Sequence, residues 1–257
     1  MAVCWTIGFS MLAGFLPPPS PTLNAQQVAD LFDDHRTRIR LGIVFVMLSS
    51  PLYATWSVAV STQLRRINPR FTTLADIQLA MGILLVVLLM MPAALFETAA
   101  FRPERSPESI QLLFDLSWFI FVFTVSTGVV QSVVIAVAIL MDRRREPIFP
   151  RWAGYVNIWV AILFLGGSLV PFFKTGPFAW NGLFAFWIPV VVFFAWMVAM
   201  VVLIQRAADR VDDEPAKAPE TELEERIAAT MRRLLDEERQ VHEGRARHDA
   251  RSPSAGP

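Results

Sequence analysis

The amino-acid sequence predicts an all-α fold: a polytopic transmembrane helix bundle of about six spans, the first one short, with a cytosolic amphipathic tail helix. Three observations carry that prediction. Of the 257 residues, 54% are hydrophobic and 18% charged. Apolar runs such as Leu79 to Phe96 with its flanks, and Leu183 to Ile204, are long enough at ~1.5 Å per residue to cross a hydrocarbon core of ~30 Å. Charge is unevenly placed: Arg206 to Pro257 holds 10 basic and 13 acidic residues, against 13 basic and 10 acidic in residues 1–205. The formal net charge of zero averages a membrane part of +3 and a tail of −3, and a soluble globular domain is excluded.

The first apolar run, Ala2 to Leu16, stops at Pro17-Pro18-Pro19-Ser20-Pro21. Fifteen residues of helix reach only ~22 Å. A basic n-region and a small-x-small cleavage site, the marks of a secretory signal, are both missing. The run reads as a truncated first span, with the true start codon upstream. The proline stretch should be extended, since Pro fixes φ and offers no donor. Asn24 to Arg36 then reads as a short amphipathic helix at the membrane surface, with Val28, Leu31, Phe32 and His35 on one face and Asp30, Asp33 and Asp34 opposite.

The second span runs from about Leu41 to Leu64, and Pro51 should kink it near Ser49. Arg65, Arg66 and Arg70 follow. The third span, about Leu74 to Phe101, enters with Asp76 and leaves with Glu97. The fourth, Ile110 to Met141, is about 32 residues and should tilt or project into water. After Arg143, Arg144, Arg145 and Arg151 come the fifth span, roughly Trp152 to Phe173, the turn Lys174 to Gly182, and the sixth span, Leu183 to Gln205.

Lys and Arg in alternate short connections number 10 on the side of the chain start and 6 on the other. By the positive-inside rule this bias puts both termini in the cytoplasm and the protein in a bacterial cytoplasmic (inner) membrane. In the tail, residues 212–219 read as a linker. Thr221 and Glu224 form a capping box for a helix over 220–242, and the end of the chain should be disordered. Leu223, Ile227, Met231, Leu234 and Val241 mark one face of that helix, a short seam for a protein partner or self-association. With 8 acidic and 4 basic residues over 220–243, it does not suit anionic lipid.

One cysteine, Cys4, allows no internal disulfide and no Cys-based metal site, and His35, His242 and His248 lie outside the spans. The sequence therefore implies neither a cofactor nor a metal. It also contains no Walker-type loop, dinucleotide fingerprint, G-x-S-x-G or H-E-x-x-H. The basic clusters hug span ends and make no nucleic-acid footprint.

Asp76, Glu97 and Asp115 fall within or at the edges of apolar spans, where ionisable groups are costly and suggest function. Glu97 and Asp115 stand near one membrane face with Arg102 and Arg105 between them. The ordinary reading is a salt-bridge cluster closing the hairpin. The functional reading makes one of the two carboxylates an acid or base for chemistry on a lipid or isoprenoid, or a proton site. On the fourth span Ser117, Thr124, Gly128, Gln131 and Ser132 share a face, as do Gly154, Asn157, Ala161 and Ser168 on the fifth. Such stripes let helices approach and hydrogen-bond, or line a polar groove in which Gln131 and Asn157 bind a ligand. Lys174 either snorkels to headgroup phosphate or selects an anionic ligand. The sixth span, with no Ser, Thr, Asn or charge between Leu183 and Ile204, should be the most lipid-exposed. Its outer aromatics Phe172, Phe173, Phe178, Trp180, Phe184 and Trp187 should form an interfacial belt.

The strings GFLPPPSP, RIR before the second span, FPRWAGYVNIW and FFKTGPFAWNG resemble a group of bacterial multi-helix membrane proteins. The resemblance covers most of residues 1–205 and not the tail, and members carry a few residues ahead of the first span that this chain lacks. It implies architecture alone, since no activity or catalytic residues come with the group. The expected function is thus a non-enzymatic membrane protein, surrounded by lipid, that binds or passes a small hydrophobic molecule or serves as an accessory subunit. A membrane-embedded enzyme using Glu97 or Asp115 is the alternative, and a proton-coupled transporter a third.

Overall fold

A computed structural model of the chain describes residues 1–67, 72–213 and 227–233. The fold is all-helical, and five helical segments are long and apolar enough to cross a membrane, as an integral membrane protein requires. The chain divides into two units, Met1–Ala207 and Ala208–Pro257. In the second unit residues 227–233 are helical and the first two residues of the expected linker, Asp212 and Asp213, continue the last helix, whereas the rest of the linker, most of the expected 220–242 helix and the chain end lie outside the described residues.

The N-terminal run is not a full span. It forms one α-turn, α1 (Ala2–Trp5), and a π-helical segment (Thr6–Leu12). This segment crosses α2 (Ala25–Ser49) at paired glycines. A Cβ on Gly42 would stand 2.3 Å from the Gly8 carbonyl oxygen, and one on Gly8 would stand 2.6 Å from that of Gly42. Only two glycines allow that approach.

Helix α2 corrects the expected separation of a surface helix over 24–36 from the second span. Asn24 and Gln27 close a capping box, and the helix then continues unbroken to Ser49. No Pro interrupts it, Gly42 is accommodated within it, and its charges mark solvent contact without ending backbone hydrogen bonding. Asp30, Asp33, Asp34 and His35 are exposed, whereas Phe32 and Ile39 are buried, so His35 leaves the face assigned to it. The three arginines dock where carbonyls or a carboxylate await a donor. Arg36 donates to Ala100 O (2.7 Å), Arg38 to Met11 O (3.0 Å) and Arg40 to Glu97 Oε1 (2.9 Å), each favourable at a helix C-terminus.

The chain breaks at Ser50-Pro51, as expected from the proline, before α3 (Leu52–Ile67). Ser49 and Ser50 hydroxyls donate back to Phe45 O and Val46 O, the latter shared with the Ser50 amide at 3.0 Å, which satisfies both hydroxyls within the helix end. Helix α4 (Thr73–Phe101) packs against α2, α3 and two later helices, α5 (Pro107–Phe123) and α6 (Ser126–Leu140). A single fourth helix was expected; instead it breaks at Thr124-Val125. Thr124, Ser126 and Thr127 lie together there, and the Thr124 hydroxyl bonds Ile120 O, the side-chain competition that unsettles a helix without any proline.

Helix α7 (Arg151–Phe164) tightens into a 3₁₀ segment (Leu165–Phe172) containing Gly166, Gly167 and Pro171. The last span opens with a π segment (Leu183–Trp187) and runs as α8 (Ile188–Asp213). It is the least buried of the five spans. The aromatic belt holds only in part: Phe172, Phe173 and Phe184 are exposed, but Trp180 is buried. Trp180 stacks on Trp118 and donates to Pro19 O at 2.9 Å, which clamps the 174–182 turn onto the proline stretch. The cluster around these rings includes Phe9, Phe15, Phe96 and Phe114.

The turn after α6 is built on Asp142, which accepts from the Arg144 side chain (2.9 and 3.0 Å) and from the Arg144 and Ile148 amides (3.1 Å each). Burial pushes its carboxyl up, but these donors outweigh that effect and hold it below the usual carboxylate value.

Candidate functional site

Two features share the interior of the first unit: a hydrogen-bonded polar junction and an apolar cavity. The junction lies among α3, α4 and α6. Gln131, fully buried, accepts from the Tyr53 hydroxyl (2.8 Å) and donates to Ser57 Oγ (3.3 Å) and the Gln78 carbonyl (3.4 Å). Gly82 makes room for it: a Cβ there would fall 2.0 Å from Ser57 Oγ and 2.8 Å from Gln131 Nε2. One helical turn from Gly82, Gln78 is also fully buried, and neither atom of its carboxamide has a partner among the described residues. The same holds for Ser132 Oγ and Thr127 Oγ1. Buried polar groups are nearly always satisfied, so this junction has hydrogen-bonding capacity in excess.

Tyr53 joins the junction to the cavity, of which its side chain is one wall. The cavity has a volume of about 340 Å³ and is lined by parts of nearly every helix in the bundle. Regular turns of α4 (Leu85, Leu88, Leu89) and α8 (Pro189 to Trp196) supply much of its wall, and the rest comes from places where helix geometry changes. The N-terminal π segment contributes Thr6, Phe9 and Ser10, and the second π segment Ala185, Phe186 and Trp187. Thr124 and Val125 come from the α5–α6 break, and Phe164 from the junction of α7 with its 3₁₀ extension. Tyr53 follows the Pro51 break. Irregular backbone at membrane depth is tolerated where it is buried in protein or lines a cavity, and π segments recur at functional sites.

The residues singled out in the sequence are dispersed. Gln131 is the centre of the junction. Asn157 is a bridge between α7 and α8: its amide donates to Ala153 O (2.8 Å) and Met200 Sδ (3.8 Å), and its Oδ1 accepts from Trp196 Nε1 (2.9 Å). Glu97 pairs with Arg40 of α2 and not with the loop arginines, a correction to the expected hairpin cluster. Asp115 is half-buried and Lys174 exposed. The Lys174 ammonium acts on Asp115 electrostatically, with no ion pair between them among the described residues. None of Glu97, Asp115, Gln131, Asn157 or Lys174 lines the cavity. Among the described residues no group of three or more His, Cys, Asp or Glu is placed to hold a metal ion.

Sequence reasoning passed over Tyr53, Ser57 and Gln78. A signal was available: Tyr53, Ser57 and Ser61 recur at intervals of four along one apolar helix, the spacing of a single face. Gln78, two residues after Asp76, reads in sequence as part of a polar helix entry. The cavity left no signal, because apolar residues face lipid and cavity alike.

Comparisons with protein families, with curated proteins and with solved structures find no match to this chain.

Proposed function

We propose that this integral membrane protein is non-enzymatic and binds a small hydrophobic molecule in the cavity bordered by Tyr53. The single observation that carries the reading is the cavity ringed by helix breaks. Five interruptions of helical geometry, four of them within membrane-spanning segments, border one apolar space, and discontinuous helices around an interior site are how membrane proteins build ligand sites. The Lys/Arg bias of the connections supports a bacterial cytoplasmic membrane with the C-terminus inside, which with five crossing segments leaves the chain start on the opposite side.

An enzyme using Glu97 or Asp115 has less support. Such an acid or base must reach its substrate, but neither residue borders the cavity, and Glu97 is engaged by Arg40.

The test is binding of N-phenyl-1-naphthylamine, a neutral dye that brightens in apolar sites, to the protein in nanodiscs, with empty discs subtracted. Saturable binding at one dye per chain is expected. Val190→Trp and Leu85→Trp, both on the cavity wall, should weaken it at least tenfold while the helical circular dichroism stays unchanged. Dye binding in both folded variants equal to that of wild type overturns the reading.

A further inference from the structure

The α3–α4 seam of the polar junction is built from small residues. Ser57 stands against Gly82, and the Ser61 hydroxyl donates to Ala75 O at 3.0 Å. Gln78 is the long side chain on the same α4 face, three residues after Ala75 and four before Gly82. It is fully buried, and neither its Nε2 nor its Oε1 has a partner among the described residues. Buried amides in native proteins are satisfied by protein or by ordered water. The junction is also loosely closed: Gln131 Nε2 reaches Ser57 Oγ and Gln78 O at 3.3 and 3.4 Å, beyond the usual ~2.9–3.0 Å of an N–H···O bond.

The atoms left over define what can bind. A carboxamide offers two hydrogens on nitrogen and lone pairs on oxygen. Ser57 Oγ, which accepts from Gln131, still carries a hydroxyl proton to donate. A metal cation would take the oxygen lone pairs and leave the Gln78 Nε2 hydrogens bare, and an anion would do the reverse. Only a neutral molecule that both donates and accepts serves the whole set, and the smallest is water. Its supply is close. Asp76, exposed where it pairs with Arg65, precedes Gln78 by two residues, about 3 Å along the helix axis.

We propose that this junction is a hydration site: water exchanging with the membrane face near Asp76 binds between the Gln78 carboxamide and Ser57 Oγ, joining α4 to α3 through bonds that protein atoms leave unmade. The site does not depend on whether the apolar cavity holds a ligand. Leucine at position 78 expels the water together with the group that needs it, so the site is read by exchange and not by stability.

The test is NMR cross-relaxation between water and side-chain amides of the full chain, perdeuterated and labelled with 15N, in detergent micelles. The signal lost in Gln78→Leu assigns the Gln78 amide. The signal lost in Asn157→Leu assigns a dry reference, equally buried but with its amide bonded to Ala153 O. Rotating-frame cross-peaks from water to Gln78 should be at least about fivefold stronger than those to Asn157, with laboratory-frame cross-peaks of opposite sign, the mark of water that stays bound. A Gln78 amide as dry as Asn157 overturns the proposal. So does a laboratory-frame cross-peak with the sign of bulk water, which shows the side chain itself reaching solvent. A Gln78 signal that shifts when sodium chloride is replaced by N-methylglucamine chloride overturns it too, since that marks a cation.

Discussion

Gln131→Leu and Gln78→Leu are changes of similar volume within one three-helix junction, yet their effects on stability should differ in sign. Gln131 makes three hydrogen bonds, to Tyr53, Ser57 and the Gln78 carbonyl. Leucine removes all three and leaves the Tyr53 hydroxyl buried with no acceptor. Interhelical hydrogen bonds in membranes average ~0.6 kcal/mol and reach ~1.7, and a stranded buried donor costs ~1–3 kcal/mol. The expected loss is about 1–3 kcal/mol, a fall in Tm of roughly 3–10 °C for a chain of this size. Gln78 has no side-chain partner to lose among the described residues, and its backbone carbonyl still accepts from Gln131. Removing two unsatisfied atoms should leave Tm unchanged or raise it by a few degrees, within the ~1–3 kcal/mol a buried orphan group costs. The assay is thermal unfolding in a single detergent followed by tryptophan emission, with scan rate held constant because unfolding in detergent is often irreversible. A cycle with Tyr53→Phe isolates the Tyr53–Gln131 bond, and a coupling of ~0.6–1.7 kcal/mol is expected. A loss for Gln78→Leu as large as that for Gln131→Leu, or a cycle with no coupling, refutes the reasoning.

Asn157→Leu strands the Trp196 indole N–H and should lower stability by about 1–2 kcal/mol, read by the same melt, whereas Trp196→Phe removes the donor and leaves the Asn157 carboxamide oxygen as the unpaired end. Gly42→Ala places a Cβ 2.3 Å from the Gly8 carbonyl; the crossing must separate, and the expected loss exceeds ~1 kcal/mol, with new protease sensitivity near residue 13. The depressed Asp142 carboxyl contributes stability that is present above the unfolded value of ~3.9 and is lost as pH falls through its lower folded value. Asp142→Asn should therefore flatten the acid limb of the stability profile, and an unchanged limb would contradict this. Glu97→Gln breaks an ion pair of two partly exposed groups, worth ~0–1 kcal/mol. It should leave dye affinity within twofold of wild type.

The fold class was legible because a membrane span needs a run of apolar residues that survives inspection of any stretch of the chain. Pro51 also announced its break, since a missing amide donor is a property of one residue. Helix continuity was less visible. Asp30 to Arg40 looked like a boundary because charge reports solvent, yet the α2 backbone does not end there. The α5–α6 break, carried by three neighbouring hydroxyl residues, lacks any residue that forbids a helix. Gln131 stood out as an amide in an apolar run, and the junction it organises was half visible in the spacing of Tyr53 and Ser57. The partner of Glu97 was not, because Arg40 lies 57 residues away and only packing of α2 on α4 selects it over Arg102 and Arg105. The cavity was illegible for a deeper reason: its walls use the same Leu, Val and Phe that face lipid, and only the three-dimensional convergence of helix breaks distinguishes them.

The most direct measurement of the central claim is native mass spectrometry of the protein released from native membranes in a mild detergent. Wild type should carry one small-molecule adduct per chain that survives delipidation, and Val190→Trp, folded by circular dichroism, should carry none. A wild-type protein with no adduct and no uptake of added N-phenyl-1-naphthylamine, or the same adduct retained in Val190→Trp, would contradict a ligand held in the cavity beside Tyr53.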